Sequence, residues 1–410
     1  MDIFQFMRHS ILHFDLDTFF VSCERLIDSR LQKKPLLVGG LSDRGVVAAC
    51  SYETRPYGIR SGMSMKMARQ LCPEAVCIRG DSGVYSKYSH LVTEIISGEV
   101  PMFEKSSIDE FYVDLTGMDR FFGNYKFARQ LRHKIIEETG LPISFGLSQN
   151  KIVSKVATGE AKPNNELQID VGLEKSFLAP LSIRKIPMVG KASAQTLKSL
   201  GIFQIRTLQE MPVDVLIRVM GKNGETIWRR AQGIDNVPVV PYNERKSTST
   251  ERTYEKDTID MQMMKESLIA MGEKMAYQLR MDNRLTACVT LRIKYSDFKT
   301  YTKQKRIPYT NSDHKIIATV MELFKSLYNR RMLVRLLGVK VSHLVQGSHQ
   351  IDMFEDDESL LNLYASMDRM RQRYGPAAVM RAATIDTKSI RSNRNPFNGE
   401  PPIILAHRRQ

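Results

Sequence analysis

Two short segments place carboxylates next to strongly apolar sequence. Asp15 and Asp17 stand at the end of the apolar run 10–16, and Asp109 and Glu110 precede the run 111–115. A lone carboxylate in such surroundings is costly unless it is paired or bound to a metal. Two adjacent acids at one strand edge and one from a neighbouring strand can hold two divalent cations, which suits in-line phosphoryl or nucleotidyl transfer. The acids could equally cap turns, and spacing alone leaves both interpretations open.

Two further segments carry groups that can bind phosphate. Tyr52 and Arg55 lie three residues apart and can reach one phosphate chain, the guanidinium as a bidentate donor and the phenol through its hydroxyl. Lys162 precedes a turn-forming Pro163-Asn164 pair. A solvated basic patch and a single exposed lysine are the structural alternatives for these segments.

The composition narrows the class of partner. The 410 residues include 60 Lys and Arg against 45 Asp and Glu, a formal net charge of +15. This charge indicates a polyanionic partner, with nucleic acid ahead of a membrane surface. The sequence contains no run of about 18 apolar residues, so it predicts no transmembrane helix. We expect no signal peptide because carboxylates appear early in the chain. The five cysteines fit neither a disulfide framework nor a zinc pattern, so we expect reduced thiols and a cytoplasmic protein.

The elements that must position these residues alternate between strand and helix. Strands in this order, with acids at two strand ends, predict an α+β catalytic domain. The predicted strands are 10–16, 36–40, 46–50, 111–115 and 143–148, and the predicted helices are 61–74, 85–96 and 124–139.

The pattern changes after about residue 175. Residues 176–235 read as short helices broken by Gly and Pro, and the polar stretch 243–250 reads as a linker. Strand-like segments return over 251–346. Between 242 and 346 there are 20 Lys and Arg and 11 Asp and Glu, so about +9 of the net charge lies there.

Taken together, the four motifs resemble, in order and interval, the Y-family DNA polymerases and in particular the DNA polymerase IV group. The resemblance extends over roughly residues 10–345. It implies a multidomain α+β fold shaped like a right hand, with a ferredoxin-like palm, small fingers, a helical helix-hairpin-helix thumb and an α/β little finger. The implied domains are the palm at 8–18 and 81–175, the fingers at 19–80, the thumb at 176–241, a linker at 242–250, the little finger at 251–347 and a C-terminal tail at 348–410.

The resemblance also implies roles for individual residues. Asp15, Asp109 and Glu110 would be the catalytic metal ligands, and the Leu16 carbonyl would complete one site. The implied cofactor is a pair of Mg²⁺ ions, with Mn²⁺ as a substitute. The family does not generally use the acid at Asp17 as a direct ligand. The implied nucleotide-binding residues are Thr18, Phe19, Phe20, Tyr52, Arg55 and Lys162.

An aromatic residue in the family excludes ribonucleotides, and Phe20 falls at that position. Its ring would clash with a ribose 2′-hydroxyl and so reject ribonucleotides by repulsion. For Phe19, a role as an ordinary core residue is as consistent with the sequence as a role in nucleotide binding. Val46, Ala48 and Gly62 fall where the family's fingers cover the nascent base pair, and their small size would leave room for distorted templates.

The thumb is implied to bind DNA through a hairpin at Val189, Gly190 and Lys191. Such hairpins present backbone N–H groups and a helix N-terminus to a phosphate, so they bind without reading sequence. Residues 220–224 read either as a second copy or as an ordinary corner between two helices.

The segment after the little finger carries one more motif. Gln350, Met353 and Phe354 resemble the pentapeptide that binds the bacterial sliding clamp, in which a glutamine precedes two apolar anchors. The following helix, 360–374, either packs on the little finger or stays mobile. Asn165 stands where the family usually has glycine. This difference leaves open whether the turn after Lys162 has the backbone conformation found in the family.

These features predict a template-directed, low-fidelity DNA polymerase without proofreading that extends primers past damaged bases. The expected partners are primer-template DNA, dNTPs and the clamp through residues 350–354, with no membrane and a monomeric chain. Two alternatives are a non-catalytic DNA-binding scaffold and a nucleotidyl cyclase. The joint presence of the three acids with Tyr52, Arg55 and Lys162 disfavours the scaffold, and the thumb and basic module would have no role in a cyclase.

Overall fold

The computed structural model describes residues 9–118, 123–241, 244–347, 357–375 and 377–385. The chain divides into two compact units, with the boundary between residues 243 and 244. No helix among the described residues is both long enough and apolar enough to cross a bilayer.

The first unit contains eight strands and ten helices among its described residues. The strands are β1 (Ile11–Leu16), β2 (Leu36–Gly39), β3 (Val47–Cys50), β4 (Val76–Ile78), β5 (Phe103–Lys105), β6 (Glu110–Asp114), β7 (Ile143–Ser148) and β8 (Glu166–Gln168). The helices are α1 (Phe19–Ile27), α2 (Met65–Leu71), α3 (Ser82–Glu99), α4 (Asn124–Thr139), α5 (Lys151–Ala161), α6 (Glu174–Leu178), α7 (Lys191–Ser199), α8 (Ile205–Glu210), α9 (Val213–Met220) and α10 (Lys222–Ala231). Single 3-10 turns occupy Ser29–Leu31, Tyr52–Tyr57 and Ile183–Lys185.

The central sheet of this unit has the order β5-β6-β1-β7-β8. β1 pairs antiparallel with both β6 and β7, so its backbone is hydrogen-bonded on both edges. Because side chains alternate along a strand, Leu12, Phe14 and Leu16 enter the main core, and His13 and Asp15 face helix α5. The predicted strand therefore presents its acid to one defined face.

Helix α5 lies unusually close to the sheet. A methyl group added at Gly146 on β7 would lie 2.2 Å from the Ser154 carbonyl oxygen of α5, so only glycine allows this contact. The Ser154 hydroxyl donates to the Ile11 carbonyl at 2.7 Å. This packing fixes α5, and with it Lys155 and Lys162, over the acids.

Two smaller parts complete the first unit. A three-stranded sheet of order β3-β2-β4 packs with α2 around its own apolar cluster, which includes Leu37 and Met65. Helices α6 to α10 enclose another cluster, which includes Leu197 and Ile227. All the strands predicted up to residue 150 are present, whereas the three-residue strands β4, β5 and β8 were not predicted.

The second unit is a four-stranded antiparallel sheet of order β11-β10-β12-β9 with helices on one face. Its described elements are β9 (Ser247–Thr258), α11 (Met261–Met281), β10 (Arg284–Tyr295), β11 (Thr300–Thr310), α12 (Asp313–Leu327), β12 (Val334–Gln346), α13 (Asp357–Tyr374) and a 3-10 turn (Ala382–Thr384).

The predicted linker is shorter than the sequence suggested. β9 begins at Ser247, inside the stretch 243–250. Thr248 pairs with Val341 and Ser249 with Lys340 on β12, and Thr248 is buried. Sequence reasoning missed these residues because alternating Ser and Thr resemble a polar loop until a partner strand is known.

Helix α13 packs on the second unit, which resolves the alternatives left open for it. The Arg280 guanidinium of α11 contacts the Asp368 carboxylate at 2.6 Å and lies 4.7 Å from the centre of the Tyr364 ring. Arg280 also contacts Asp313 of α12 at 2.6 Å. One arginine thus joins α11, α12 and α13.

Candidate functional site

Two of the three predicted carboxylate ligands, Asp15 and Glu110, lie on the neighbouring strands β1 and β6, and Asp109 directly precedes β6. Asp15 is the register partner of Glu110 across β1 and β6. The Leu16 N–H donates to the Asp109 carbonyl oxygen at 3.1 Å, which joins the two motifs through the backbone. Burial, reinforced by Asp109 and Glu110 and opposed by Lys162, raises the pKa of Asp15 to about 7. The three carboxylates are therefore close enough to interact electrostatically.

The Ser107 hydroxyl holds the second motif in shape. It donates to Asp109 Oδ1 at 2.5 Å and accepts from the backbone N–H groups of Asp109 and Glu110 at 3.2 and 3.1 Å. Burial raises the pKa of Asp109, and the Ser107 hydrogen bond opposes that shift. Asp109 consequently depends on this serine for a stable orientation.

Two lysines compensate the charge of the acids. Lys162 Nζ lies 2.5 Å from Asp15 Oδ1, and Lys155 Nζ lies 2.5 and 2.6 Å from the two Glu110 oxygens. Within the described part of the chain, no three His, Cys, Asp or Glu side chains already converge as a metal-binding cluster. The sequence analysis missed Lys155. No helix was predicted over the α5 segment; such a helix would have placed Lys155 and Lys162, which are seven residues apart, on one face.

The predicted phosphate-binding residues converge on the same place. The Tyr52 hydroxyl donates to Asp17 Oδ1 at 3.2 Å, and the Arg55 guanidinium lies 4.2 Å from the centre of the Tyr52 ring. Burial, followed by the charge of Asp17, raises the pKa of Tyr52 far above its usual range, so the hydroxyl stays protonated. Arg55 Nε is buried without a hydrogen-bond partner among the described residues, as expected for a donor reserved for an anion.

The turn after Lys162 tolerates the asparagine that departs from the family pattern. Positive φ occurs at Asn164, at 47°, and not at Asn165. Asparagine adopts this left-handed region more readily than most residues. Asn165 therefore needs no glycine, and its backbone N–H donates to the Ser144 hydroxyl at 3.3 Å.

The two phenylalanines at the start of α1 are both buried, with Phe19 3% and Phe20 6% exposed. The Phe20 ring stacks on Tyr85 of α3 with ring centres 4.3 Å apart, and the Tyr85 hydroxyl donates to Glu24 at 2.5 Å. Thr18 precedes them in the left-handed conformation, with φ of 44°. Phe20 thus has a rigid support behind its ring.

The predicted base-pair cover and thumb hairpin are exposed. Val46 and Ala48 lie on one face near β3, and Gly62 has a φ of 88° with open space where a side chain would stand. Gly190 is the N-cap of α7, directly before Lys191, and Val189 is half-buried.

The 220–224 hairpin joins α9 to α10 through Gly221 alone. A methyl group at Gly224 would lie 2.2 Å from the Leu216 carbonyl oxygen, so this glycine serves helix packing. The clamp-motif residues Gln350, Met353 and Phe354 lie outside the described residues.

Comparison with known proteins agrees with this arrangement. Residues 14–159 match the family model described as the impB/mucB/samB family, and residues 245–353 match its C-terminal domain. DNA polymerase IV of Dehalococcoides mccartyi is 37% identical over 384 residues, which are 93% of this chain and 98% of the relative. DNA polymerase IV of Clostridium perfringens is 35% identical over 343 residues, 83% of this chain and 96% of the relative.

Solved structures show the same architecture. A Y-family DNA polymerase chimera of Dbh and Dpo4 has a TM-score of 0.72 and 26% identity, and covers 82% of this chain and 100% of its own. An insertion ternary complex of Dbh DNA polymerase has a TM-score of 0.61 and 25% identity with the same coverage. The chain belongs to the impB/mucB/samB family, the Y-family DNA polymerases. It is a DNA-directed DNA polymerase of the translesion type, related to the DNA polymerase IV enzymes.

Proposed function

We propose that this chain adds dNTPs to a primer 3′-hydroxyl at the acids of β1 and β6, and that Asp15, Asp109 and Glu110 are the catalytic residues. The observation that carries this assignment is the register pairing of Asp15 with Glu110 beside Asp109. Burial makes such a group of like charges unfavourable without cations.

The donor set fits divalent cations of the hard type. Carboxylates and a backbone carbonyl, here that of Leu16, are the oxygen ligands that Mg²⁺ and Mn²⁺ prefer, and Y-family membership implies the use of a divalent metal. When bound, two Mg²⁺ ions would activate the primer hydroxyl and neutralise the triphosphate charge.

Lys162 and the 3-10 turn Tyr52–Tyr57 would hold the nucleotide. Lys162 would transfer its contact from Asp15 to a phosphate oxygen, while Arg55 offers its unpartnered Nε and Tyr52 a protonated hydroxyl. Lys155 holds the Glu110 carboxylate in a fixed orientation through its ion pair. These contacts recognise the triphosphate and carry no information about the base, so template pairing has to select the nucleotide.

Substitution of the acids tests the catalytic assignment. Asp109→Ala and Glu110→Ala should abolish primer extension while leaving primer-template affinity nearly unchanged, because neither side chain is needed to hold DNA. Asp114→Ala is the matched control, since Asp114 lies on β6 but accepts a hydrogen bond from the Thr116 N–H at the other end of the strand. Normal extension by either active-site variant would refute the assignment.

Low fidelity and lesion bypass follow from the exposed cover. Val46, Ala48 and Gly62 present little side-chain volume, so they impose weak steric selection on the base pair. The stacked ring of Phe20 imposes strong selection on the sugar instead.

DNA is held without reading its sequence. In the first unit, the backbone N–H groups of Val189 and Gly190 already donate to the Ile186 and Met188 carbonyls, so the donors suited to a phosphate are those of the first turn of α7, which begins at Lys191 after the N-cap Gly190. In the second unit, β11 carries exposed basic side chains, among them Lys303 and Lys305. Such contacts predict affinity that falls steeply with salt.

The remaining partners are proposed from the sequence motif and the cysteines. Gln350, Met353 and Phe354 would bind a bacterial sliding clamp, which a clamp-binding assay with Met353→Ala and Phe354→Ala tests directly. Unchanged clamp affinity in both variants would refute the motif. All five cysteines are free thiols, which supports a cytoplasmic location. The chain is proposed to act as a monomer, and sedimentation of the purified protein measures this.

A further inference from the structure

Asp17 is more completely enclosed than any of the three carboxylates proposed as metal ligands. Its side chain is 1% exposed, and both carboxylate oxygens have hydrogen-bond partners. Oδ2 accepts from the Ser144 hydroxyl and from the Asn164 N–H, both at 2.7 Å, and Oδ1 accepts from the Tyr52 hydroxyl at 3.2 Å. A buried carboxylate whose two oxygens already accept three hydrogen bonds has little capacity left for a metal.

The backbone of Asp17 is held as firmly as its side chain. Its N–H donates to the Pro142 carbonyl at 2.8 Å, and its carbonyl accepts from the Ser22 hydroxyl at 2.7 Å. The next residue, Thr18, is in the left-handed conformation that turns the chain from β1 into α1. Asp17 is therefore a fixed point, and its partners are positioned relative to it.

Two of those partners, Tyr52 and Asn164, belong to separate segments, and each of these segments carries a proposed phosphate-binding residue. Tyr52 begins the 3-10 turn Tyr52–Tyr57, which also contains Arg55. Asn164 lies two residues after Lys162, and Lys162 Nζ itself is 3.5 Å from Asp17 Oδ1. One carboxylate thus links the segment that carries Tyr52 and Arg55 to the segment that carries Lys162.

We propose that Asp17 is a positioning residue for the nucleotide triphosphate. It holds Tyr52 and the loop after α5 at a fixed separation beside Asp15, without touching the nucleotide or the reacting atoms. Without this tether, Tyr52 and Lys162 would have to be ordered when the nucleotide binds, and that entropic cost would appear as weaker nucleotide binding. This inference rests on the proposed roles of Tyr52 and Lys162.

Two substitutions separate the two sides of the carboxylate. Asp17→Asn keeps the shape and can still accept from Ser144 and Asn164, but it places an uncharged amide towards Tyr52 and Lys162. Asp17→Ala removes every side-chain contact. We expect the KM for dNTP to rise in the order wild type, Asp17→Asn, Asp17→Ala, with a rise of about 10–100-fold for the alanine variant. The affinity for primer-template DNA should stay unchanged.

A double-mutant cycle tests whether Asp17 acts through Tyr52. Tyr52→Phe removes only the hydroxyl, so in the Asp17→Ala background it should cost much less than it does alone. Asp114→Ala, which removes a palm carboxylate that accepts one backbone N–H, is the control and should leave the KM for dNTP at the wild-type value.

Three results would overturn the proposal. These are an unchanged KM in Asp17→Ala, additive effects with Tyr52→Phe, or a shift of the Mg²⁺ titration as large as that caused by Asp15→Ala, which would make Asp17 a ligand. Thermal melts show whether Asp17→Ala is folded. If it is not, the isosteric Asp17→Asn is the test: a severalfold rise in the KM for dNTP supports the proposal, and an unchanged KM overturns it. Wild-type protein that fails to extend a primer would refute the proposed function, whereas active wild type with unchanged variants refutes only the role of Asp17.

Discussion

Replacing Arg280 by methionine should unfold the second unit at a much lower denaturant concentration. Arg280 contacts Asp313 and Asp368 at 2.6 Å each, and the Asp313 side chain is fully buried. Removing one member of such a group leaves a buried charge uncompensated, which costs about 3–5 kcal/mol. Asp313 is the first residue of α12, so the helix dipole offsets about 0.3–1 kcal/mol of that loss. The expected net loss is about 2–5 kcal/mol.

Arg245→Met provides the matched control. Arg245 contacts Asp282 at 3.1 Å, but 31% and 43% of the two side chains are exposed. Exposed pairs of this kind contribute at most about 1 kcal/mol. The two variants remove the same charge from the same unit, so the difference between them measures what burial and the second carboxylate partner of Arg280 add to a surface pair.

Urea unfolding of the full chain gives the measurement, because the single tryptophan reports on one unit. Trp228 lies on α10 in the first unit, so its fluorescence transition should not move in either variant. The circular-dichroism transition of the second unit should move strongly in Arg280→Met and weakly in Arg245→Met. Adding Asp313→Asn to Arg280→Met should recover part of the loss, since it removes the unpaired charge. Equal shifts for Arg280→Met and Arg245→Met would show that the buried contacts contribute nothing beyond a surface pair.

Three further predictions concern the first unit. Phe20→Ala should raise ribonucleotide incorporation relative to dNTP incorporation by about 10-fold or more, measured as the ratio of kcat/KM values. Phe19→Ala should leave this ratio unchanged. A change in Phe19→Ala instead would assign the exclusion of ribonucleotides to Phe19. Gly146→Ala should lower the free energy of unfolding in urea by about 3 kcal/mol, because the added methyl group would lie 2.2 Å from a backbone oxygen. Gly98→Ala is the control and should not destabilise the protein, since there is open space around Gly98. Equal stability of the two variants would contradict the close contact. Burial lowers the pKa of Lys105 to about 8 from 10.5, so between these values the unfolded chain binds more protons and the free energy of unfolding rises with pH. Lys105→Met should therefore stabilise the protein at about pH 7 by about 1–3 kcal/mol and lose that advantage towards pH 10.5; a gain independent of pH would show that packing, not charge, is responsible.

Local pattern was enough to predict the strands that carry the acids. The two-residue period of β1 places Asp15 on the face opposite Phe14 and Leu16, whereas the register that sets Asp15 against Glu110 comes from the pairing of β1 with β6. The second unit was harder to delimit. Its first strand begins with alternating Ser and Thr that were predicted to belong to a linker, and it forms because β12 provides a partner.

The pairing of charges in the site could not be predicted in the same way. Lys155 was missed because no helix was predicted over residues 151–161, and only the packing of α5 against Gly146 brings it to Glu110. Asp17 was set apart from the ligands by resemblance alone. Its actual partners lie 35 to 147 positions away in the chain.

The sequence by itself determined the kinds of residue at the site and the faces on which they stand, because side-chain direction along a strand or helix is a local property of the backbone. The tertiary structure decided which charges meet, since contacts between Asp17, Tyr52 and Asn164 depend on how distant segments pack. It also decided that α13 joins the second unit, because a helix with a mixed surface has no preferred neighbour until a buried cation such as Arg280 provides one.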